Sequence, residues 1–520
     1  MIRFKIDKTL VTFAIIYTFA LLMPINNPHH VDESTHSFVG LVLKDLLNDL
    51  IKTPTLSYDK IYNYLNSYLV YYPKISLHYP PLPQFLFSIA YNIFGASLQV
   101  SRLVIILTSL ALLLTVYSFT NIIFKSRIVA FIATSLLMTA PIIINMSILA
   151  MQEMSFAFFF TLTMMWLYLI KGGKPEIRNF LILSVLMTLT TLTKWQAITI
   201  FPAILLYVIV FERRLLRYTL FSLVISTALL MPYYLLLWKA NLLLLPLSAN
   251  LEADPLDPTW MQPKGWVYYL SAFVKDQFFL PIGILIALAT FAYFLNKERD
   301  WKFFATWILV VYLIMTIVHN KDIRYTLNFL PAFVIPGSYI LHKVLKKLIS
   351  THILLTLIVV LALIQYVVSF ANLIYGFPEV EGVAKYILED NSGNVLINTG
   401  LGTASPFIFE IARNSNFEHQ VLRPCVIEFL NESYDVLMRK FGIKYIVVDE
   451  DRQGFKEKQN DFMKYIDENE AFVKIKGFSR FSVIKNNDYS EEEKVDLCNY
   501  VCATREIVCT KFKIPKDALK

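Results

Sequence analysis

Residues 10–40 read LVTFAIIYTFALLMPINNPHHVDESTHSFVG. The apolar run Leu10–Met23 follows basic Arg3, Lys5 and Lys8, and the turn Pro24-Ile25-Asn26-Asn27-Pro28 closes it. Asp32 and Glu33 then stand side by side, just before a segment of helical periodicity. A basic start with an apolar core also describes a secretory signal peptide, but no small-x-small cleavage site follows, so the run reads as an uncleaved first span. With its basic start inside, the span delivers Asp32 and Glu33 to the outer face, at the membrane surface.

Outward from this stretch the composition agrees. Of 520 residues, 56% are hydrophobic and 17% charged, against roughly 45–50% and about 25% in soluble domains. The chain reads as a polytopic α-helical membrane protein with a hydrophilic tail. Its apolar runs suit helices crossing a hydrocarbon core of about 30 Å, and they lack the period-2 alternation of a membrane barrel. The formal net charge of +8 comes from Lys and Arg in short loops, where topology explains it. No basic low-complexity tail suggests nucleic acid as a partner. No Walker-type loop, GxGxxG after a strand or HExxH is present, so ATP- or NAD-driven chemistry has no support.

Ser37–Ile51 has apolar Phe38, Leu41, Val42, Leu46, Leu47 and Leu50 against Lys44, Asp45, Asn48 and Asp49. That spacing predicts an amphipathic helix at the membrane surface. Tyrosine-rich 58–72 suits the interface. Leu82–Phe94, after Pro80-Pro81, is apolar but short, and reads as re-entrant or interfacial rather than spanning. The loops decide this. If it does not cross, Lys125-Ser126-Arg127, Lys171–Arg178, Glu212–Arg217, Asn296–Lys302 and His342–Lys347, all basic-rich, lie inside. If it crosses, all five lie outside, against the positive-inside bias.

The further spans are then about Leu103–Phe124, Ile128–Ile148, Met154–Ile170, Phe180–Thr193, Ile198–Phe211, Tyr218–Trp238, Val267–Leu295, Phe303–Val318, Tyr325–Leu341 and Ile353–Tyr375. This makes about 11 transmembrane helices, with the N-terminus cytoplasmic and the C-terminal domain extracytoplasmic. Residues 1–375 form the membrane domain, with an outer loop over 26–101. Residues 376–520 form a small α/β exterior domain. In it Asn394–Asn398 and Lys444–Val448 read as buried strands, Tyr434–Phe441 as a helix ended by Gly442, and Phe472–Lys476 with Phe481–Ile484 as a hairpin. Asn431-Glu432-Ser433 is a glycosylation sequon. All four cysteines (Cys425, Cys498, Cys502, Cys509) lie in this tail, which suits disulfides in an oxidising exterior. Free thiols are the alternative; a zinc site lacks a Cys-x-x-Cys pair or nearby His. Four cysteines allow three pairings, and spacing selects none.

The residues fit for chemistry gather at outer ends. Asp32 and Glu33, at the membrane surface, suit a general base toward an acceptor hydroxyl or amine. The bland alternative is a helix start, with Asp32 or Ser34 as N-cap. Glu153, beside Gln152 at the outer end of a span, is an acid whose burial is costly unless it is paired or faces a cavity; an interfacial turn is the alternative. Arg102, Lys194 and Arg324 are outer-face cations, suited to a phosphate-bearing lipid; snorkelling to headgroups is the alternative. His78-Tyr79-Pro80-Pro81 opens the short helix, whose N-terminus favours an anion that His78 would hydrogen-bond; a simple anchoring turn is the alternative.

This order of features resembles the glycosyltransferase C superfamily. It is most similar to the branch of the protein O-mannosyltransferases and the lipid A aminoarabinose transferase. The resemblance covers roughly residues 1–375: a span, Asp32-Glu33, an amphipathic helix, a Pro-Pro helix, Arg102 opening a span, an acid at an outer turn, Thr193-Lys194, and Arg324-Tyr325 with Pro331 downstream. It implies inverting transfer of a sugar from a polyprenyl- or dolichyl-phosphate carrier to a protein, lipid or glycan acceptor. Asp32 matches the family's first-loop catalytic Asp, the base that deprotonates the acceptor, and one base without a nucleophile is what inversion needs. Glu153 matches the acid of the second outer loop. Lys194 and Arg324, with Tyr325 beside them, match groups that hold the donor phosphate, and Glu33, His78 and Arg102 join the substrate-binding set.

There are departures. Tyr79, preceded by His78, stands where the aminoarabinose enzyme has Lys, and the Trp-Trp-Asp signature of oligosaccharide transfer is absent. Relatives on this branch generally work without metal, so no cofactor is expected, although Asp32 and Glu153 would suit a divalent cation if they converge. Two rival readings are a transporter or flippase of lipid-linked sugars, which predicts repeats and mid-membrane charges, and a non-catalytic scaffold with an exterior binding domain.

Overall fold

A computed structural model describes residues 8–52, 79–173, 175–239, 257–371, 373, 376–390, 393–399, 403–415, 419, 421–422, 433–451 and 457–489. His78, the four cysteines, Asn431 and the tyrosine-rich 58–72 lie outside this set.

The membrane part begins with α1 (Lys8–Leu22), a 3-10 turn through Pro24, and α2 (Val31–Lys52). Next come α3 (Leu82–Phe94), α4 (Leu98–Phe124), α5 (Arg127–Met138), α6 (Pro141–Ile148), α7 (Glu153–Lys171), α8 (Ile177–Thr191), α9 (Ile200–Phe211) and α10 (Leu216–Lys239). It closes with α11 (Pro263–Ala272), α12 (Leu280–Leu295), α13 (Trp301–Ile317), α14 (Leu330–Leu345) and α15 (Thr351–Ala371). Among the described residues five helices are long and apolar enough to cross a membrane, and a sixth span results if α5 and α6 count as one. Outward-facing Ile16, Phe19, Val224, Leu288, Phe291 and Val367 are exposed, the surface a lipid-embedded bundle presents. The protein is a multi-pass membrane protein.

Two expected spans are interrupted. Ile128–Ile148 is the pair α5 and α6, bent by 66°. Pro141 opens α6 as its first residue, where a missing N–H costs nothing. Val267–Leu295 is broken between α11 and α12 by a π-turn, Phe273–Gln277, of the kind that often marks functional sites. Gln277 in that turn donates to Ile323 O at 2.5 Å and Thr326 Oγ1 at 2.9 Å, tying the break to the segment that carries Arg324.

The basic loops meet at one end of the bundle. Lys171 Nζ lies 2.6 Å from Asp300 Oδ1, Lys343 pairs with Glu298, and Arg214 donates to the Lys171 carbonyl. Asp32, Glu153, Lys194 and Arg324 meet at the other end.

α2 is longer than the expected Ser37–Ile51 and starts before the acidic pair. Its apolar face (Phe38, Leu41, Val42, Leu46) is buried. At Gly40 it crosses α3 so closely that a Cβ would lie 2.8 Å from Phe87 Cβ. Ser97 caps α4 by accepting from Val100 N at 3.2 Å, as an N-cap serine should.

The C-terminal part is a five-stranded sheet in the order β2-β1-β3-β5-β4, formed by β1 (Asn394–Asn398), β2 (Val421–Leu422), β3 (Ile443–Asp449), β4 (Phe472–Gly477) and β5 (Phe481–Asn486). β1 pairs parallel with β2 and β3, and β5 antiparallel with β3 and β4. Every residue of β1 is buried, as a central parallel strand requires. α16 (Val380–Leu388) packs on α17 (Ala404–Ser415), and α17 in turn rests on α2. Helices Tyr434–Lys440 and Glu457–Glu468 complete the domain; Gly442, at φ +55°, turns the first of them into β3.

Candidate active site

The site is built on the loop between α1 and α2, and Arg102 holds that loop. From the first turns of α4 its guanidinium donates to Ile25 O (2.8 Å), Asn27 O (2.6 Å), Pro28 O (3.0 Å), Glu33 Oε2 (3.0 Å) and Glu33 Oε1 (2.5 Å). An arginine has five N–H donors, and all five are used. Glu33 also accepts from His30 N at 2.8 Å and Ala150 N at 3.0 Å. Arg102 is 1% and Glu33 0% exposed. Two buried charges persist here because they pair and every remaining lone pair or proton has a partner. Glu33 and Arg102, expected among the substrate contacts, spend these bonds on each other and on the backbone.

Glu33 has a second task. As the third residue of α2 it bonds back to the N–H of His30, half of a capping box, while the His30 ring accepts from Asp32 N at 3.3 Å. The helix start is thus capped by His30 and Glu33, not by Asp32 or Ser34. Successive helical side chains point about 100° apart, so fixing Glu33 inward turns Asp32 out. The Asp32 side chain is 48% exposed, and its Oδ2 lies 3.2 Å from Arg324 Nη1.

Around Asp32 the expected residues converge. Arg324 grips Asp322 through Nε (2.8 Å) and Nη2 (2.5 Å), which aims Nη1 between Asp32 and Glu153 Oε1, the latter at 3.9 Å. The positive charge between these two carboxylates is therefore a guanidinium. Burial works against that charge, but Glu153, Asp322 and Asp32 outweigh it and raise its pKa. Glu153, the first residue of α7 and 3% exposed, binds Lys194 Nζ through Oε1 at 2.7 Å. Its Oε2 is buried with no hydrogen-bond partner among the described residues, a costly state for a carboxylate that a bound hydroxyl or amine would relieve. Lys194 Nζ also sits 5.0 Å over the Tyr325 ring.

Beside Asp32 and Arg324 opens a cavity of about 270 Å³. Its polar lining is His30, Asp32, Asn145, Asp276, Asp322 and Arg324. The bend between α5 and α6 brings Asn145 there, with a buried Oδ1 that has no partner among the described residues; the π-turn brings Asp276.

His30, His36, Asn145, Asp276 and Asp322 carried no sequence expectation. Asp322 had a signal in its two-residue spacing from Arg324. His36 had one as well, lying one helical turn after Asp32. Its Nδ1 is 2.9 Å from Gln84 Nε2 and its ring stands edge-on to Tyr79 at 5.0 Å. Burial pushes the imidazole down to about 4; Glu153 and Asp32 oppose this, Lys194 and Arg324 add to it. Asn145 and Asp276 had none, because helix breaks bring them in. Pro80-Pro81 does reach the site: Gln152 Nε2 donates to Pro80 O at 2.8 Å, and Leu82 N to Leu192 O at 2.9 Å.

Residues 78–238 match the family model of dolichyl-phosphate-mannose-protein mannosyltransferase. The whole fold is similar to ArnT from Cupriavidus metallidurans in the apo state, with a TM-score of 0.64 and 12% identity over 94% of this chain and 98% of that one. ArnT from the same organism bound to undecaprenyl phosphate matches with a TM-score of 0.64, 14% identity and the same coverage. The archaeal oligosaccharyltransferase AglB from Archaeoglobus fulgidus, in complex with an inhibitory peptide and a dolichol-phosphate, gives 0.53 and 13% identity over 86% of this chain and 70% of that one. No curated protein matches the chain by sequence. The fold is that of the glycosyltransferase C enzymes, and the resemblance to their mannosyltransferase and aminoarabinose-transferase branch stands.

Proposed function

We propose that this protein is an inverting glycosyltransferase that moves a sugar from a polyprenyl- or dolichyl-phosphate carrier to an acceptor on the outer face of the membrane, through about 11 spans with the N-terminus inside and the 376–520 domain outside. One observation carries the reading. A half-exposed carboxylate, Asp32, stands 3.2 Å from Arg324 at a cavity mouth, beside the buried Glu153–Lys194 pair.

In this mechanism Asp32 takes the proton of the acceptor hydroxyl or amine. The freed lone pair attacks the anomeric carbon from the face opposite the phosphate, and the carbon–oxygen bond to phosphate breaks. The leaving phosphate carries away the electron pair, so it needs cations where the charge develops. Arg324 Nη1 donates to Asp32 and makes a second, long contact to Met151 Sδ at 4.0 Å, and Lys194 has three donors with one on Glu153. Both can turn N–H bonds to a phosphate. Glu153 Oε2 is placed to orient the acceptor. The charges cluster at one end of the bundle rather than at mid-depth, which favours an enzyme over a transporter.

The test is transfer of radiolabelled sugar from a panel of polyprenyl-phosphate sugars in membranes containing the protein, with the anomeric configuration of product and donor compared. Transfer with inversion supports the reading; retention of configuration removes the single-base mechanism.

A further inference from the structure

The exterior domain meets the membrane part at the same loop that carries Asp32. Glu410, in the middle of α17, is fully buried. Arg413 donates to it through Nε (2.7 Å) and Nη2 (2.5 Å), and Asn414 Nδ2 at 3.2 Å. These bonds, all within α17, already engage both carboxylate oxygens. Yet its Oε1 also binds His29 Nε2 at 3.1 Å, across the domain boundary. Burial works against the Glu410 charge, but His29 and Arg413 keep its carboxyl below the usual range. The other ring nitrogen of His29, Nδ1, is 3.1 Å from Ser34 Oγ, two residues past Asp32.

Three more contacts fall on the same loop. Phe377 N donates to His29 O at 2.9 Å. A Cβ on Gly376 would lie 1.8 Å from His29 O, so the chain passes with no room for a side chain. Thr35 Oγ1 binds Ser405 Oγ of α17 at 3.0 Å. Residues 29–35 are thus held from the exterior side by residues 376–377 and α17, and from the membrane side by Arg102. Asp32 sits between the two grips.

We propose that the exterior domain is the outer jaw of a clamp on this loop, and that Glu410 is a positioning residue that sets Asp32 through His29 and Ser34. Its effect on rate rests on the proposed reading of Asp32 as base; the clamp itself does not. Catalysis depends on placement to within about 1 Å, a shift that size costing on the order of 10²-fold. Loosening the outer jaw therefore slows turnover while the donor, held by Arg324 and Lys194, binds as before.

The experiment uses the full-length protein in lipid discs with Glu410→Gln, His29→Gln and the double variant. The readouts are kcat, donor KM, and backbone hydrogen exchange of residues 29–35. Glu410→Gln is expected to lower kcat roughly ten- to hundredfold with donor KM within about twofold, and to speed exchange at 29–35. The double variant should lose no more than either single one, since both act along one path. Unchanged kcat, or losses that multiply, overturns the positioning role. Should Glu410→Gln unfold the exterior domain, His29→Gln removes the same bond from the loop side and decides on the same two readouts. Full transfer by Asp32→Asn beside a slowed Glu410→Gln would remove Asp32 as base and leave the clamp acting on another group of the loop.

Discussion

Asp32 and Glu33 are neighbours in the chain whose carboxylates do opposite work. Glu33 is sealed against Arg102 at 2.5 Å, and Asp32 faces the cavity 3.2 Å from Arg324. The buried acid fixes the first turn of α2, and that turn aims the exposed one.

Removing Arg102 should therefore damage the fold. Arg102→Leu deletes five hydrogen bonds and strands a buried Glu33, a change expected to cost about 3–5 kcal/mol. Asp32→Asn, at a half-exposed pair, should stay within about 1 kcal/mol. Thermal unfolding midpoints of the detergent-solubilised variants check this. An Arg102→Leu protein as stable as wild type would contradict the assignment.

Arg324 should matter for rate. Arg324→Lys keeps the charge but loses the fork that Asp322 orients, so kcat/KM for the donor should fall by about 10²-fold or more. Asp322→Asn, which loosens the same fork without removing the guanidinium, should show a smaller fall in the same steady-state assay. Equal kcat/KM for wild type and Arg324→Lys would separate Arg324 from the phosphate.

His36 gives stability a pH dependence of fixed sign. Its pKa is pushed from 6.5 down to about 4 in the folded protein, so below pH 6.5 the unfolded chain binds more protons than the folded one. Stability is fully present above about 6.5 and is lost as pH falls toward 4, by up to about 3 kcal/mol. His36→Gln should flatten the unfolding midpoint across this window. A midpoint whose slope the substitution leaves unchanged would refute the assignment.

The crossing of α2 on α3 admits no side chain at residue 40. Gly40→Ala puts a methyl 2.8 Å from Phe87 Cβ, an overpacking expected to cost about 1–3 kcal/mol. Pairing it with Phe87→Leu should recover part of the loss in the same unfolding assay.

The parts of this molecule that follow local rules were readable from the chain. Leu82–Phe94 has the limits its prolines and length imply, Asn394–Asn398 is a strand where its pattern placed it, and the expected Phe472–Lys476 is a strand one residue longer, Phe472–Gly477. Asp32, Glu153, Lys194 and Arg324 were noticed as charges at helix ends, and they meet. What escaped depends on distant contacts. Glu33 and Arg102 are 69 positions apart, and nothing in either neighbourhood announces that they cancel. Asn145 and Asp276 enter the cavity only because two expected spans break, at Pro141 and at the π-turn. An apolar run reads the same whether straight or bent. Glu410 carried no signal at all, because its meaning lies in what α17 rests on.

The most direct test of the central claim is the initial rate of labelled-sugar transfer by wild type and Asp32→Asn, at equal amounts of inserted protein with matched unfolding midpoints. General-base catalysis is worth about 10²–10⁴-fold, so Asp32→Asn should lose transfer by that order with donor binding retained. Equal rates would contradict that claim.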